Sequence, residues 1–349
     1  MRRRASIHAG LLLTTATVIA LMTAGCGSQA PSKPGKVAAK PKLRANPNDP
    51  LSTRSFYVDD VSAKLDAEQL RTAGQSTEAR AMASLAAEPT ATWLTGQSNV
   101  RAVVSALTGR ASAAGKSALL VAYDIPGRDC GGYSAGGAPS AAAYRRWITE
   151  FATGIGDRAA TVIVEPDAIA ESLTSACTAT PMIAERLPLL RFAVQTLRAQ
   201  PNTTVYLDAG NPGWIRPATR LVPSLRAAGI AEANGFALNV ANFYKTSVVT
   251  AYGQTLSRAL HGKHFVIDTS RNGDGAPPSS GPGLAWCNPP GRALGHPPTT
   301  DTGNPVVDAY LWIKTPGDSD GTCNRGDPPA GQWMEQYALG LALRSSLAH

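Results

Sequence analysis

The chain has 349 residues, of which 43% are apolar and 17% charged, a mix that excludes a disordered or fibrous protein and allows one large domain or two ordinary ones. Its net charge of +8 comes from the first 44 residues, which carry 8 of the 33 basic side chains and no acid. The rest balances 25 bases against 25 acids, so the body exerts no general pull on phosphates and nucleic acid is excluded as a partner.

Arg2, Arg3 and Arg4 precede an apolar stretch over 11–22 that is too short to span a membrane. Small residues then lead into Cys26 and resemble a bacterial lipoprotein cleavage box. The pattern predicts a signal peptide over 1–25 and lipid attachment at Cys26, with an ordinary secretory signal and an incidental cysteine as the alternative. Residues 26–53, rich in Pro, Lys, Ala and Asn, read as a flexible tether whose lysines can sit against anionic headgroups. The folded domain is expected over 54–349, in a secreted or cell-surface protein whose default state is a monomer.

From there, short apolar runs alternate with longer helix-like stretches. The runs are 55–58, 90–94, 118–123, 161–165, 204–208, 235–240, 264–268 and 309–313. Most are continuously apolar, as suits strands buried on both faces of a parallel sheet. The helical stretches are 100–113, 140–154, 183–199, 217–228, 247–260 and 332–347. This βα repetition predicts one α/β domain, most simply a TIM-like barrel. Residues 270–305 form a long Gly/Pro-rich loop holding Trp286 and Cys287, a length that is usually functional.

Cys130, Cys177, Cys287 and Cys323 remain once Cys26 is set aside, and in an exported protein they read as two disulfides with three possible connectivities. A metal centre is not expected, since no C-x-x-C occurs and only His261 and His264 lie close in sequence. Carboxylates or amides follow the strand ends repeatedly: Asp124 and Asp129, Glu165 and Asp167, Asp208, Asn239, Asp268, then Asp318 and Asp320. In a barrel these ends converge on the face where active sites lie. One or two, such as Asp268, would instead cap a following helix. Two stretches stand out. Residues 121–137 place Tyr123, Arg128, Asp129 and Cys130 before a Gly-rich run, and Glu165-Pro166-Asp167 ends an apolar strand. Pro166 stops the ladder and fixes the backbone before Asp167, an acid placed to have a raised pKa and donate a proton. Glu165 reads as an acid that orients its neighbours.

These stretches closely resemble the two hallmark motifs of glycoside hydrolase family 6, cellulases that invert at the anomeric carbon. The V-x-Y-x-x-P-x-R-D-C-G motif is met at every fixed position from Val121 to Gly131, and E-P-D follows in order. The likeness continues through 206–214, Asn239 to Asn242, Trp286-Cys287 and 311–321, covering about 54–345. It implies a distorted barrel of about seven parallel strands and two loop-pinning disulfides, Cys130–Cys177 and Cys287–Cys323. It implies Asp167 as the general acid. Asp129 would raise its proton affinity and organise the water, and Asp320 would be the base, directly or through a water chain. Tyr123 would crowd the sugar at the cleavage point, and Asp208 would be a further cleft carboxylate. Ser134 would hold a water, and Lys314 and Asp318 would bind sugar. No cofactor and no metal are implied. Asn239 is a further substrate-binding candidate. Trp93, Trp214 and Trp286 are candidate sugar platforms, while Trp312 and Trp147 read as core. The expected reaction is inverting hydrolysis of β-1,4-glucosidic bonds in cellulose or related β-glucans. The disulfide intervals of 47 and 36 residues suggest short loops and an endo mode over a cellobiohydrolase one.

Two rival readings stand beside it. Gly132-Tyr-Ser-Ala-Gly136 matches the serine-hydrolase elbow, with Asp208 and His261 in the right chain order, although that turn should join a strand directly to a helix. The fold could also serve as a surface glycan-binding lipoprotein without catalysis.

Overall fold

The computed structural model describes residues 49–59, 61–174, 183–278, 285–323 and 326–345. Seven parallel strands lie in chain order in one sheet. They are β1 (Thr92–Leu94), β2 (Ala118–Ala122), β3 (Ala160–Val164), β4 (Thr203–Asp208), β5 (Gly235–Leu238), β6 (His264–Asp268) and β7 (Val307–Leu311). The helices are α1 (Val61–Thr72), α2 (Ser76–Ala86), α3 (Val100–Ala113), α4 (Ala141–Ile155), α5 (Ala168–Glu171), α6 (Ile183–Arg198), α7 (Val222–Ala227), α8 (Thr246–Ala259) and α9 (Glu335–Leu343). The sheet curls into a barrel whose edges meet through little more than a bridge between Thr90 and Trp312. There Ala91 donates its N–H to the Trp312 carbonyl at 3.0 Å, and the Trp93 indole donates to the Ile313 carbonyl at 2.8 Å.

The period of two along each strand divides the core. Leu120, Val162, Val205 and Phe236 face outward onto helices through Tyr144, Ile148, Phe151, Leu190 and Val194. Leu119, Val121, Ile163, Tyr206, Val266 and Leu311 face inward and fill the barrel. The same inward row continues into Tyr123. Helix α4 starts where Ser140 accepts the Ala143 N–H at 3.2 Å, a side-chain cap that fixes the entry of an apolar helical face.

Three expectations are corrected. Residues 55–58 are not a strand: only Phe56 makes a bridge, to Ser117, and it packs with Leu51 into the barrel interior. Helices α1 and α2 were not expected, because their buried positions are mostly alanine and carry little hydrophobic signal. They pack with α9 around Trp312, which is fully buried. Asp268 caps no helix. Its carboxylate accepts N–H bonds from Ala241, Ser270, Ile313 and Lys314, at 2.9, 2.9, 3.3 and 3.0 Å. Cys287 and Cys323 form a disulfide with Cα atoms 6.2 Å apart, while Cys177 and Cys26 lie outside the described residues.

Leu51 is completely buried among the inward residues. Leu51→Ala should cost about 2–5 kcal/mol in urea unfolding, because the β-barrel wall cannot collapse onto the lost volume.

Candidate active site

A cleft of about 1430 Å³ opens over the carboxyl ends of the strands. The backbone there enters the left-handed region at non-glycine residues: Asp129 (φ 58°), Cys130 (49°), Glu165 (49°), Asp167 (73°), Asn239 (67°) and Ala241 (54°). Such residues cost about 1–3 kcal/mol each and persist where the surroundings hold them. The holding groups are buried acids. Glu165 accepts N–H bonds from Asp124 at 3.0 Å and Ile125 at 2.9 Å, and burial pushes its pKa up to about 8. Asp208 accepts the Asp167 and Gly210 N–H groups at 2.9 and 3.0 Å.

Asp167 lines the cleft, and its carboxylate accepts no hydrogen bond from the described residues. Burial, and then the carboxylates of Asp208, Glu171, Asp129 and Asp320, raise its pKa well above the ordinary range. On the loop after β2, Asp129 accepts from the Ser134 N–H at 2.6 Å, and Ser134 Oγ lies 3.0 Å from both Asp129 Oδ2 and the Tyr123 hydroxyl. Arg128 closes this loop by donating to the carbonyls of Tyr123 (2.6 Å) and Ser134 (2.8 Å), its guanidinium 4.6 Å from the Tyr123 ring centroid.

Asp320 is in the opposite state. Burial pushes its pKa up, but Arg271 and Lys314 outweigh that and hold it below the ordinary range. Arg271 binds it through both terminal nitrogens at 2.8 and 3.0 Å, Asn288 adds an N–H at 3.0 Å, and Lys314 Nζ lies 3.5 Å away.

Asp129, Asp167, Asp320, Tyr123, Trp93, Ser134, Trp214, Trp286, Lys314 and Asp318 therefore share one cleft. Two expected residues do not line it. Asp208 is fully buried and lies behind the cleft, where its carboxylate accepts the Asp167 N–H and raises the pKa of the Asp167 carboxyl. Asn239 is fully buried, and its amide is spent on the Asp268 carbonyl (3.0 Å) and the Tyr244 N–H (3.2 Å). The exposed Trp214 and Trp286 stand at the cleft, and Trp286 meets Tyr133 of the β2 loop with ring centroids 5.9 Å apart. Trp93 packs edge-on against Tyr123 at 5.1 Å. Trp147 and Trp312 are core, as expected.

Sequence reading missed Arg271, Glu171 and Trp333. Arg271 follows the end of β6 by three residues, so its signal is the same strand-end position that marks the acids and amides. Trp333 lines the cleft with its indole N–H on Asp66 at 2.7 Å. Ser134 Oγ is bonded to Asp129 and Tyr123, and His261 is exposed beside Arg226, so the serine-hydrolase reading lacks its base.

Parallel strands carrying acids and exposed indoles around one cleft define an α/β-barrel enzyme built for glycans. The family model described as "Glycosyl hydrolases family 6" matches residues 51–345, and the chain belongs to that family. It is 43% identical over 296 residues to "Endoglucanase A" of Cellulomonas fimi, covering 84% of this chain and 62% of that protein. It is 43% identical over 311 residues to "Endoglucanase 1" of Streptomyces halstedii, covering 86% of this chain and 92% of that protein. The solved endoglucanase Cel6 from Mycobacterium tuberculosis, in complex with methyl-cellobiosyl-4-deoxy-4-thio-β-D-cellobioside, superposes with a TM-score of 0.77 at 45% identity, covering 84% of this chain and 98% of that one.

Arg271 is fully buried and Asp320 nearly so. Arg271→Met should cost about 3–5 kcal/mol in denaturant unfolding, because the buried Asp320 loses its two-pronged partner and keeps only Lys314 and the Asn288 N–H. Adding Asp320→Asn should recover part of that loss.

Proposed function

We propose that the chain cleaves internal β-1,4-glucosidic bonds of cellulose-type glucans with inversion, Asp167 acting as the general acid. The observation that carries this is the Asp167 carboxyl, which faces the cleft with no donor among the described residues and a raised pKa. A protonated carboxyl there can give its proton to the glycosidic oxygen as the bond breaks. Inversion needs a water on the opposite face of the sugar, with about 6.5–9.5 Å between the two carboxyl groups. Asp129 and Asp320 are the carboxylates available to that water. Asp320, held as an anion by Arg271 and Lys314, is a weak proton acceptor by itself. Its part is to stabilise positive charge on the sugar ring and to receive the proton through a water chain. The Tyr123 ring crowds the reacting sugar into a distorted form, and Trp93, Trp214 and Trp286 offer flat faces for sugars on either side. Endo action is supported by the endoglucanase relatives.

The purified protein should rapidly lower the viscosity of carboxymethylcellulose and release α-anomeric product from cellohexaose by NMR. Asp167→Asn should reduce that hydrolysis by at least about a hundredfold while glucan binding persists. Cellobiose release without viscosity loss would instead mark exo action, and binding without cleavage a glycan-binding protein. Activity needs Asp167 protonated and Asp320 ionised. It should therefore fall as pH rises through the raised pKa of Asp167, and on the acid side only below the ordinary carboxylate range.

The export signal over 1–25, the tether and the lipid at Cys26 belong to the same reading, but the tether expected over 26–53 ends before Leu51, which is buried in the barrel interior. Labelled palmitate should enter the wild type and not Cys26→Ser, and the variant should be released from the cell surface.

A further inference from the structure

We infer that the buried Glu171–Arg186 pair is a positioning brace, fixing the turn that carries Asp167 to the loop that carries Asp129. The inference rests on the hydrolase reading of those two acids. Arg186 comes from α6 and is almost fully buried, as is Glu171. One terminal nitrogen donates to Glu171 Oε2 at 2.8 Å and to the Ala168 carbonyl at 3.3 Å. The other donates to the Gly127 carbonyl at 2.8 Å. Ala168 directly follows Asp167, and Gly127 lies two residues before Asp129. A single planar guanidinium thus ties both acid-bearing segments together, using the fixed fork geometry that Arg supplies.

Both segments need such a tie. Asp129, Cys130 and Asp167 all hold the left-handed conformation, which relaxes unless surrounding contacts determine it. Helix α5 is a single turn of four residues and cannot hold Asp167 by its own ladder. Glu171 sits on that turn, its N–H bonded to the Asp167 carbonyl at 2.9 Å, and it lines the cleft. Glu171 faces Arg186 from α6, Asp129 from the β2 loop and Asp167 on its own turn. Asp167 faces Asp208 from β4, Asp129 and Asp320 besides Glu171. An ionised Glu171 therefore favours the protonated form of Asp167, while Arg186 keeps Glu171 from leaving its place.

The test uses Arg186→Met and Glu171→Gln in the whole chain. In Arg186→Met, kcat on cellohexaose should fall about ten- to a hundredfold with KM nearly unchanged, because misplacement of about 1 Å carries that cost. Amide hydrogen exchange at residues 127–134 should accelerate at least about tenfold in the same variant. In Glu171→Gln the alkaline limb of the pH profile should move to lower pH, since a like charge beside Asp167 is removed. Unchanged exchange at 127–134 in Arg186→Met overturns the brace, as does a kcat loss equal to that of an equally destabilised Leu51→Ala protein. Should Arg186→Met not fold, the exchange comparison moves to Arg186→Lys, which keeps a cation beside Glu171 but cannot bond the Gly127 and Ala168 carbonyls with a fixed fork, with the same two outcomes. A wild type that cleaves no β-1,4-glucan defeats the hydrolase reading, while the exchange result still decides the brace.

Discussion

A carboxylate buried at the end of a parallel strand must be given donors, and most of the rim of this barrel is built from that requirement. Glu165 at the end of β3 takes N–H groups from the loop after β2. Asp208 at the end of β4 takes the N–H of Asp167 from the loop after β3. Asp268 at the end of β6 takes N–H groups from the loop after β5 and from the chain leaving β7. Between β4 and β5 the backbone supplies the link, with Asn239 N–H on the Gly210 carbonyl at 2.8 Å. Each acid staples its own strand end to a neighbour's loop, so the left-handed residues at the rim are held from outside.

Asp167 is what this stapling leaves over. Its N–H is used and its carboxyl accepts no hydrogen bond from the described residues, and burial among other carboxylates pushes its pKa up. Asp320 receives the opposite treatment from a buried arginine and a lysine. Their surroundings push the two acids of one cleft in opposite directions, Asp167 toward its protonated form and Asp320 toward its anion. Arg186, paired with Glu171, extends the same logic to the segments bearing Asp129 and Asp167.

Much of this was legible in the chain. Continuous apolar runs gave the buried parallel strands because burial on both faces removes the polar alternation. Tyr123, Asp129 and Asp167 stood out because an aromatic and acids at strand ends have no packing purpose there. Asp208 and Asn239 looked equally functional, yet Asn239 is buried with its amide on backbone groups, and Asp208 is buried with one oxygen on the Asp167 and Gly210 N–H groups, so neither lines the cleft. Helices α1 and α2 were invisible because alanine faces carry little hydrophobic pattern. Arg271, Arg186 and Trp333 were passed over because a basic or aromatic residue in a loop or helix has many ordinary explanations.

The sequence by itself determined the strand-and-helix alternation, the acids that follow the strand ends and the family to which the chain belongs. These depend on residue type and spacing along the chain. Only the tertiary structure decided which acid finds no donor among the described residues, which is pinned by a cation and which bonds the backbone of the rim. A carboxylate's protonation depends on the groups packed around it, and here those partners come from residues 15 to 49 positions away.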